Sequence, residues 1–188
     1  MNAEIDISNV VLFTERLTLR PWRESDLEDF FEYASVDGVG QMAGWFPHQS
    51  REESHEILEK FIEGKKTFAI DYQGKAIGSL GIEKYNDELF TELEPYRGRS
   101  LGFVLSKDYW GQGLMPEAVR RVIRWLFEDI GLDFIMCGYF NWNSRSRRVQ
   151  EKCGFEQYRQ TLLQTTSGIT EFTMENILWK KDWLANEK

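Results

Sequence analysis

Ser100-Leu-Gly-Phe-Val-Leu-Ser-Lys-Asp-Tyr-Trp-Gly-Gln-Gly-Leu-Met-Pro-Glu-Ala-Val-Arg-Arg-Val-Ile-Arg-Trp-Leu-Phe127 decides how the chain is read. Residues 101–105 are a short apolar run, the signature of a buried strand. Gly111 and Gly113 follow in a turn that leads straight into a helix. On that helix Leu114, Ala118, Val122 and Leu126 form one row, with Val119, Ile123 and Phe127 beside it. Glu117, Arg120, Arg121 and Arg124 occupy the other side, so the period is 3.6 and the apolar face packs on a sheet. A strand, a glycine turn and a helix make an anion-binding arrangement. The glycines allow close approach of the backbone, and the unpaired N–H groups of the first turn point outward with the helix dipole behind them. Two glycines alone equally suit a connection that merely needs positive φ.

The residues around the glycines separate these readings. Residues 109–118, Tyr-Trp-Gly-Gln-Gly-Leu-Met-Pro-Glu-Ala, resemble the acyl-CoA-binding loop of the GCN5-related N-acetyltransferases (GNAT). The likeness is nearest to the branch that acetylates protein N-termini, such as the ribosomal-protein alanine acetyltransferases. Residues 143–155, Asn-Ser-Arg-Ser-Arg-Arg-Val-Gln-Glu-Lys-Cys-Gly-Phe, resemble that branch's Asn-x-x-Ser-x-Arg-Val-x-Glu-Lys-x-Gly-Phe. Leu17-Thr-Leu-Arg-Pro-Trp22 is similar to its opening strand, so the resemblance spans about residues 16–183. It implies a single α/β (α+β) domain over residues 1–188, with a mixed, mostly antiparallel sheet of about seven strands and helices on both faces.

Composition agrees with a globular chain. The 188 residues suit one domain, with 41% hydrophobic and 29% charged residues. No apolar run is long enough to span a bilayer, and the first eight residues are polar and acidic, so a cytoplasmic enzyme is expected. A net charge of −8 argues against nucleic acid and is compatible with a cationic acceptor. Cys137 and Cys153 read as buried small hydrophobes, and His48 and His55 offer no metal-ligand spacing, so no metal is expected.

Along the chain, residues 1–14 read as a loosely held lead-in in which Val10-Val11-Leu12-Phe13 should nonetheless dock, and residues 16–22 as a half-buried strand that Pro21 ends. Capping boxes at 25–28 and 50–53 predict helices to about Ala34 and Glu63. The loop between them carries Trp45 and Phe46. These aromatics either plug the gap between the helices or, as the resemblance implies, form one wall of the acceptor site. Residues 67–72 and 76–83 form a hairpin about Gln73-Gly74, and 86–99 is a polar loop. Residues 134–140 form a buried strand, and a helix from Ser144 to about Cys153 ends at Gly154. Residues 155–163 and 170–179 are two more strands, and 180–188 is a charged tail.

The resemblance implies acetyl-CoA as co-substrate and assigns roles. The backbone N–H groups of Gly111, Gln112, Gly113, Leu114 and Met115 bind the pyrophosphate, and Val104 offers a main-chain N–H to the thioester carbonyl. Asn143 bonds the pantetheine, unless it only caps its helix. Arg147 or Arg148 reaches the ribose phosphate; Arg148 is the one carried forward. Trp110 and Met115 depart from the wider family pattern, although Trp110 is usual in the N-terminal branch. Many relatives place a glutamate base where this chain has Ser100 and a tyrosine where it has Gln150. Glu83, near the end of the adjacent strand, is the substitute base, and Ser146 is the donor to the leaving thiolate. The expected activity is transfer of an acetyl group to a primary amine, on a protein N-terminus or a small molecule such as a polyamine or antibiotic. The missing glutamate and tyrosine leave open a non-catalytic acyl-CoA-binding module, and a homodimer is the expected assembly if exposed strands pair.

Overall fold

The computed structural model of the chain describes residues 1–186. Eight strands form one sheet: β1 (Leu12–Phe13), β2 (Thr18–Pro21), β3 (Thr67–Tyr72), β4 (Lys75–Glu83), β5 (Gly98–Leu105), β6 (Phe134–Phe140), β7 (Glu156–Gln164) and β8 (Thr170–Trp179). Their order is β1-β2-β3-β4-β5-β6-β8-β7, and every neighbouring pair is antiparallel except β5 and β6. The strand beyond the expected seven is β1, in which Leu12 and Phe13 pair with Leu19 and Thr18.

The helices are α1 (Leu27–Ala34), α2 (Arg51–Gly64), α3 (Leu114–Glu128), α4 (Ser144–Lys152) and α5 (Lys180–Asn186). The seven apolar α3 residues read from the sequence are all buried, packing with Leu80, Ile82, Leu101 and Ile135. Helices α1 and α2 close another cluster around Trp22, Phe30 and Leu58. The loop between β4 and β5 is less polar inside than expected. Phe90 and Leu93 are buried with Tyr85, Phe134 and Met136, and β5 starts at Gly98, ahead of the apolar run.

Three local readings are corrected. The first fourteen residues are tied down: Gly98 N donates to Met1 O at 3.0 Å, Ile7 N donates to Lys65 O at 2.9 Å, and Ala3 and Ile7 are buried. The alternating Ala3, Ile5 and Ile7 supply apolar surface that the core takes up. At the start of α1 a short 3-10 turn, Glu24–Asp26, replaces the expected box. Arg20 holds Asp26 through two bonds of 2.7 and 2.9 Å, and Asp26 accepts from Arg23 N at 2.9 Å. The expected charged tail begins as α5, whose Trp183 is buried against the Phe127 ring at 5.4 Å; residues 187–188 of that tail lie outside the described residues.

One feature of the sheet positions the site. The parallel pairing of β5 with β6 runs only from Gly98↔Phe134 to Leu101↔Cys137. Beyond it β5 continues along β4 to Leu105, and β6 continues along β8 to Phe140. The two strands splay, so residues 102–105 have no strand partner on the side of β6. Of the main-chain groups there, those of Phe103 and the N–H of Leu105 face away from β4 and stay available for an extended ligand.

Candidate active site

At the edge of this wedge, the turn before α3 is built as an anion cradle. Gly111 and Gly113 have φ of 78° and 77°, a backbone that only glycine adopts without strain. A Cβ at Gly111 would meet nothing within 4 Å, so the turn faces open space. Leu114 and Met115 send their side chains into the core, leaving main-chain N–H groups as what they can offer a ligand. Trp110 closes one side: its Nε1 donates to Leu105 O at 2.9 Å, and Arg145 from α4 lies 4.6 Å from its ring. On the other side Arg16 donates from Nη1 to Gln112 O at 3.0 Å and from Nε to Glu117 at 2.7 Å. Burial pushes the Glu117 carboxyl up, but hydrogen bonds from Thr14 and Arg16 outweigh it and hold the group below the usual range. These features fit the pyrophosphate and pantetheine of a CoA thioester. Arg16 was not singled out in the sequence, since it stands far from the motif it supports.

Ser146, on the first turn of α4, reaches a cavity of about 450 Å³ at the wedge, which Glu83, Ser100, Gly102, Gly138 and Glu175 also line. Asn143 sets that turn by capping it: its Oδ1 accepts from Ser146 N at 3.1 Å. Its Nδ2 donates to Met42 O at 3.0 Å, which binds α4 to the loop between α1 and α2. Gln150, fully buried, donates from Nε2 to Ser146 Oγ and to Gly138 O, both at 3.1 Å. Its Oε1 accepts from Asn176 Nδ2 at 3.0 Å. Ser146 Oγ is therefore an acceptor toward Gln150, which leaves its own hydrogen to donate. Where many relatives have tyrosine, this chain has a glutamine that orients a serine.

Glu83 shares the cavity, but its half-exposed carboxylate is ion-paired with Lys66. Glu175, on β8, differs. Among the described residues its carboxylate has a single hydrogen-bond partner, Thr161 Oγ1 at 3.4 Å, and burial pushes the carboxyl above the ordinary range. It lies over β6 at Gly138, where a Cβ would come within 2.9 Å of either carboxylate oxygen. A glycine inside the otherwise bulky strand Phe-Ile-Met-Cys-Gly-Tyr-Phe was the available signal for this close approach.

The remaining sequence candidates fall outside the cavity or play other parts. Trp45 packs within the α1–α2 layer, 5.1 Å from the His48 ring, and Phe46 is exposed. Neither lines the cavity; Met42 and Ala43 of the same loop do. Val104 stands in register with Ser79 of β4, and Ser106 N, two residues on, donates to Ile77 O at 2.7 Å. The alternation of an antiparallel pair turns the Val104 N–H toward β4, away from the wedge where a thioester would lie. Arg148 is exposed on α4. Burial raises the thiol of Cys137 well above its usual value and that of Cys153 to about 12, so neither is poised as a nucleophile.

Comparison with known proteins agrees with this geometry. The acetyltransferase (GNAT) domain family matches residues 16–156. A Bacillus subtilis (strain 168) protein described as the uncharacterized N-acetyltransferase YoaA is 29% identical over 154 residues, covering 78% of this chain and 83% of its own. The ribosomal-protein-S5-alanine acetyltransferase of Vibrio fischeri shares the fold at a TM-score of 0.69 and 22% identity, covering 93% of this chain and 99% of its own. The microcin C7 self-immunity acetyltransferase MccE, solved with acetyl-CoA and AMP, also superposes at a TM-score of 0.69, with 16% identity over 88% of this chain and 93% of its own. No helix among the described residues is long and apolar enough to cross a membrane. With its glycine turn, its splayed parallel pair and a family match over most of its length, the chain belongs to the GNAT family and is an N-acetyltransferase.

Proposed function

We propose that the protein transfers the acetyl group of acetyl-CoA to a primary amine by direct attack within a ternary complex. The observation that carries this reading is the glycine turn at the start of α3 standing beside the unpartnered residues 102–105 of β5. Phosphates would lie on the N–H groups from Gly111 to Met115, with the positive end of α3 behind them. The pantetheine would run along β5, where the Phe103 main chain faces the gap that β6 leaves, and Asn143 would contribute its second amide hydrogen from the opposite side. Arg148, exposed on α4, would meet the ribose phosphate. The acetyl-CoA thioester supplies an activated acyl group. The chain holds it, excludes water and stabilises the charge that develops on the oxygen and sulfur. Ser146 Oγ, oriented by Gln150, would donate toward the thiolate. A protein N-terminus and a small molecule both remain acceptors of this reading, and a cytoplasmic location and a homodimer accompany it.

Isothermal titration with acetyl-CoA, comparing the wild type with Gly113→Trp, tests the reading. Micromolar binding that is lost in the variant, followed by turnover with amines, is the expected outcome. Wild-type protein that does not bind acetyl-CoA would refute it. Binding without turnover across amines and N-terminal peptides would favour the non-catalytic module instead.

A further inference from the structure

We propose that Glu175 receives the ammonium of the acceptor and takes its proton, in a cavity shaped for an amine borne on an apolar group. This rests on the N-acetyltransferase reading above and assigns the role that Glu83 was expected to fill. Three independent features converge on it. The Glu175 carboxylate lies on the wedge side of β6, in space that Gly138 leaves open, and lines the same cavity as Ser146. Among the described residues no cation pairs with it, whereas Glu83 is held by Lys66. Two positions along the same strand, Thr173 is buried, lines the cavity and has no hydrogen-bond partner for its hydroxyl among the described residues. A half-buried carboxylate without a cation and a buried hydroxyl without a partner are both costly unless a ligand supplies the missing group. An ammonium entering beside Glu175 supplies a charge-assisted hydrogen bond, and a neighbouring N–H or water can reach Thr173.

The cavity offers apolar surface beside its polar groups: Leu89, Phe90, Met136 and Leu163 line it, and Leu89 and Leu163 are 44% and 46% exposed. The ionisable groups nearby leave Glu175 unneutralised. Lys84 and Tyr85 lie at the end of β4, and Tyr139 stands on β6. Arg159 of β7, which pairs in register with Glu175, is taken by Glu92 and by Leu89 O. Cys137 lies behind β6 with its thiol protonated. An amine with an apolar substituent buries that substituent here, while a polycation finds one free carboxylate.

The step balances. The ammonium gives one proton to Glu175, and the nitrogen lone pair forms the bond to the acetyl carbon. The carbon–sulfur bond breaks with its pair going to sulfur. The nitrogen's second proton balances the thiolate as free thiol, delivered across the Ser146 hydroxyl, and Glu175 returns its proton to solvent.

Benzylamine is the probe, with Glu175→Gln and Glu83→Gln as variants. Calorimetry on CoA-saturated wild type is expected to show benzylamine binding that weakens at least tenfold in Glu175→Gln, while acetyl-CoA affinity stays unchanged. Turnover of benzylamine is expected to fall about 10²-fold or more in Glu175→Gln, with loss of the acidic limb of the kcat profile. Spermidine is expected to be the poorer acceptor. If acetyl-CoA binds but benzylamine does not bind to the wild type, the proposal is overturned and the acetyltransferase reading stands. The proposal is equally overturned if Glu175→Gln keeps the limb and the rate, or if Glu83→Gln alone removes the limb. A wild type that fails to bind acetyl-CoA refutes the earlier reading and this one together.

Discussion

Ser146 cannot act alone, because a serine hydroxyl rotates freely and is a weak donor until something fixes it. Gln150 does so, and Asn176 in turn fixes Gln150. Replacing Gln150 by leucine strands Gly138 O and the Asn176 amide in the interior. Each unpaired group costs about 1–3 kcal/mol, so urea unfolding is expected to show that loss of stability. The same variant is expected to lower kcat while leaving acetyl-CoA affinity near wild type, because Gln150 touches no part of the phosphate turn. Ser146→Ala, which removes the donor but keeps the helix start, is expected to lower kcat by about 10²-fold with little change in stability. Ser146 was legible because it sits in a contiguous motif. Glu175 was not, because a lone carboxylate in a strand of mixed polarity carries no periodic signal. Its meaning comes from Gly138 on a neighbouring strand, 37 positions earlier in the chain.

Elements made of local pattern were read well from the sequence. Strand β6, helix α3 and the β3–β4 hairpin follow from apolar runs, a 3.6 period and Gln73-Gly74, and they occur where those signals stand. What escaped were connections formed by distant partners. The lead-in docks because Gly98 and Lys65 supply its hydrogen bonds, and α1 starts later because Arg20 takes Asp26. Arg20 also binds Asp71 on β3 at 2.9 Å, so one buried guanidinium fastens the start of α1 to the sheet. Arg20→Leu leaves two carboxylates without their cation and is expected to cost about 3–5 kcal/mol in urea unfolding. The active-site loops depend on a similar long connection. Arg16 ties the β1–β2 turn to the glycine loop through Gln112 O and Glu117. Arg16→Ala is expected to weaken acetyl-CoA binding by about fivefold, and the deficit should shrink as ionic strength rises, because salt screens the attraction that the exposed Arg16 supplies in the wild type.

Across the whole molecule, two titratable groups, the buried His48 and the half-buried Glu175, make stability depend on pH in opposite directions. Burial lowers the pKa of His48, which lies between the Phe30 and Trp45 rings and bonds Ser54 through Nδ1 at 2.7 Å. Its folded value is below the unfolded one, so the unfolded chain binds the proton first and stability falls as pH drops below about 6.5. Burial raises Glu175, so the folded state resists the charge, and this contribution to stability is present below the unfolded value and lost as pH rises through the folded one. Stability therefore gains from His48 and loses from Glu175 as the solution passes from acid to neutral. The two variants separate them. Relative to wild type, Glu175→Gln is expected to raise Tm at pH 8 and to lose that advantage by about pH 3, where the carboxyl is protonated in both states. His48→Gln is expected to flatten the decline below pH 6.5 without altering the Glu175 effect. In the reading proposed above, an ammonium bound beside Glu175 offsets that stability cost. If Glu175→Gln gave no gain at pH 8, the carboxylate would be satisfied in the free protein, and its claim on the acceptor's ammonium would lose its physical basis.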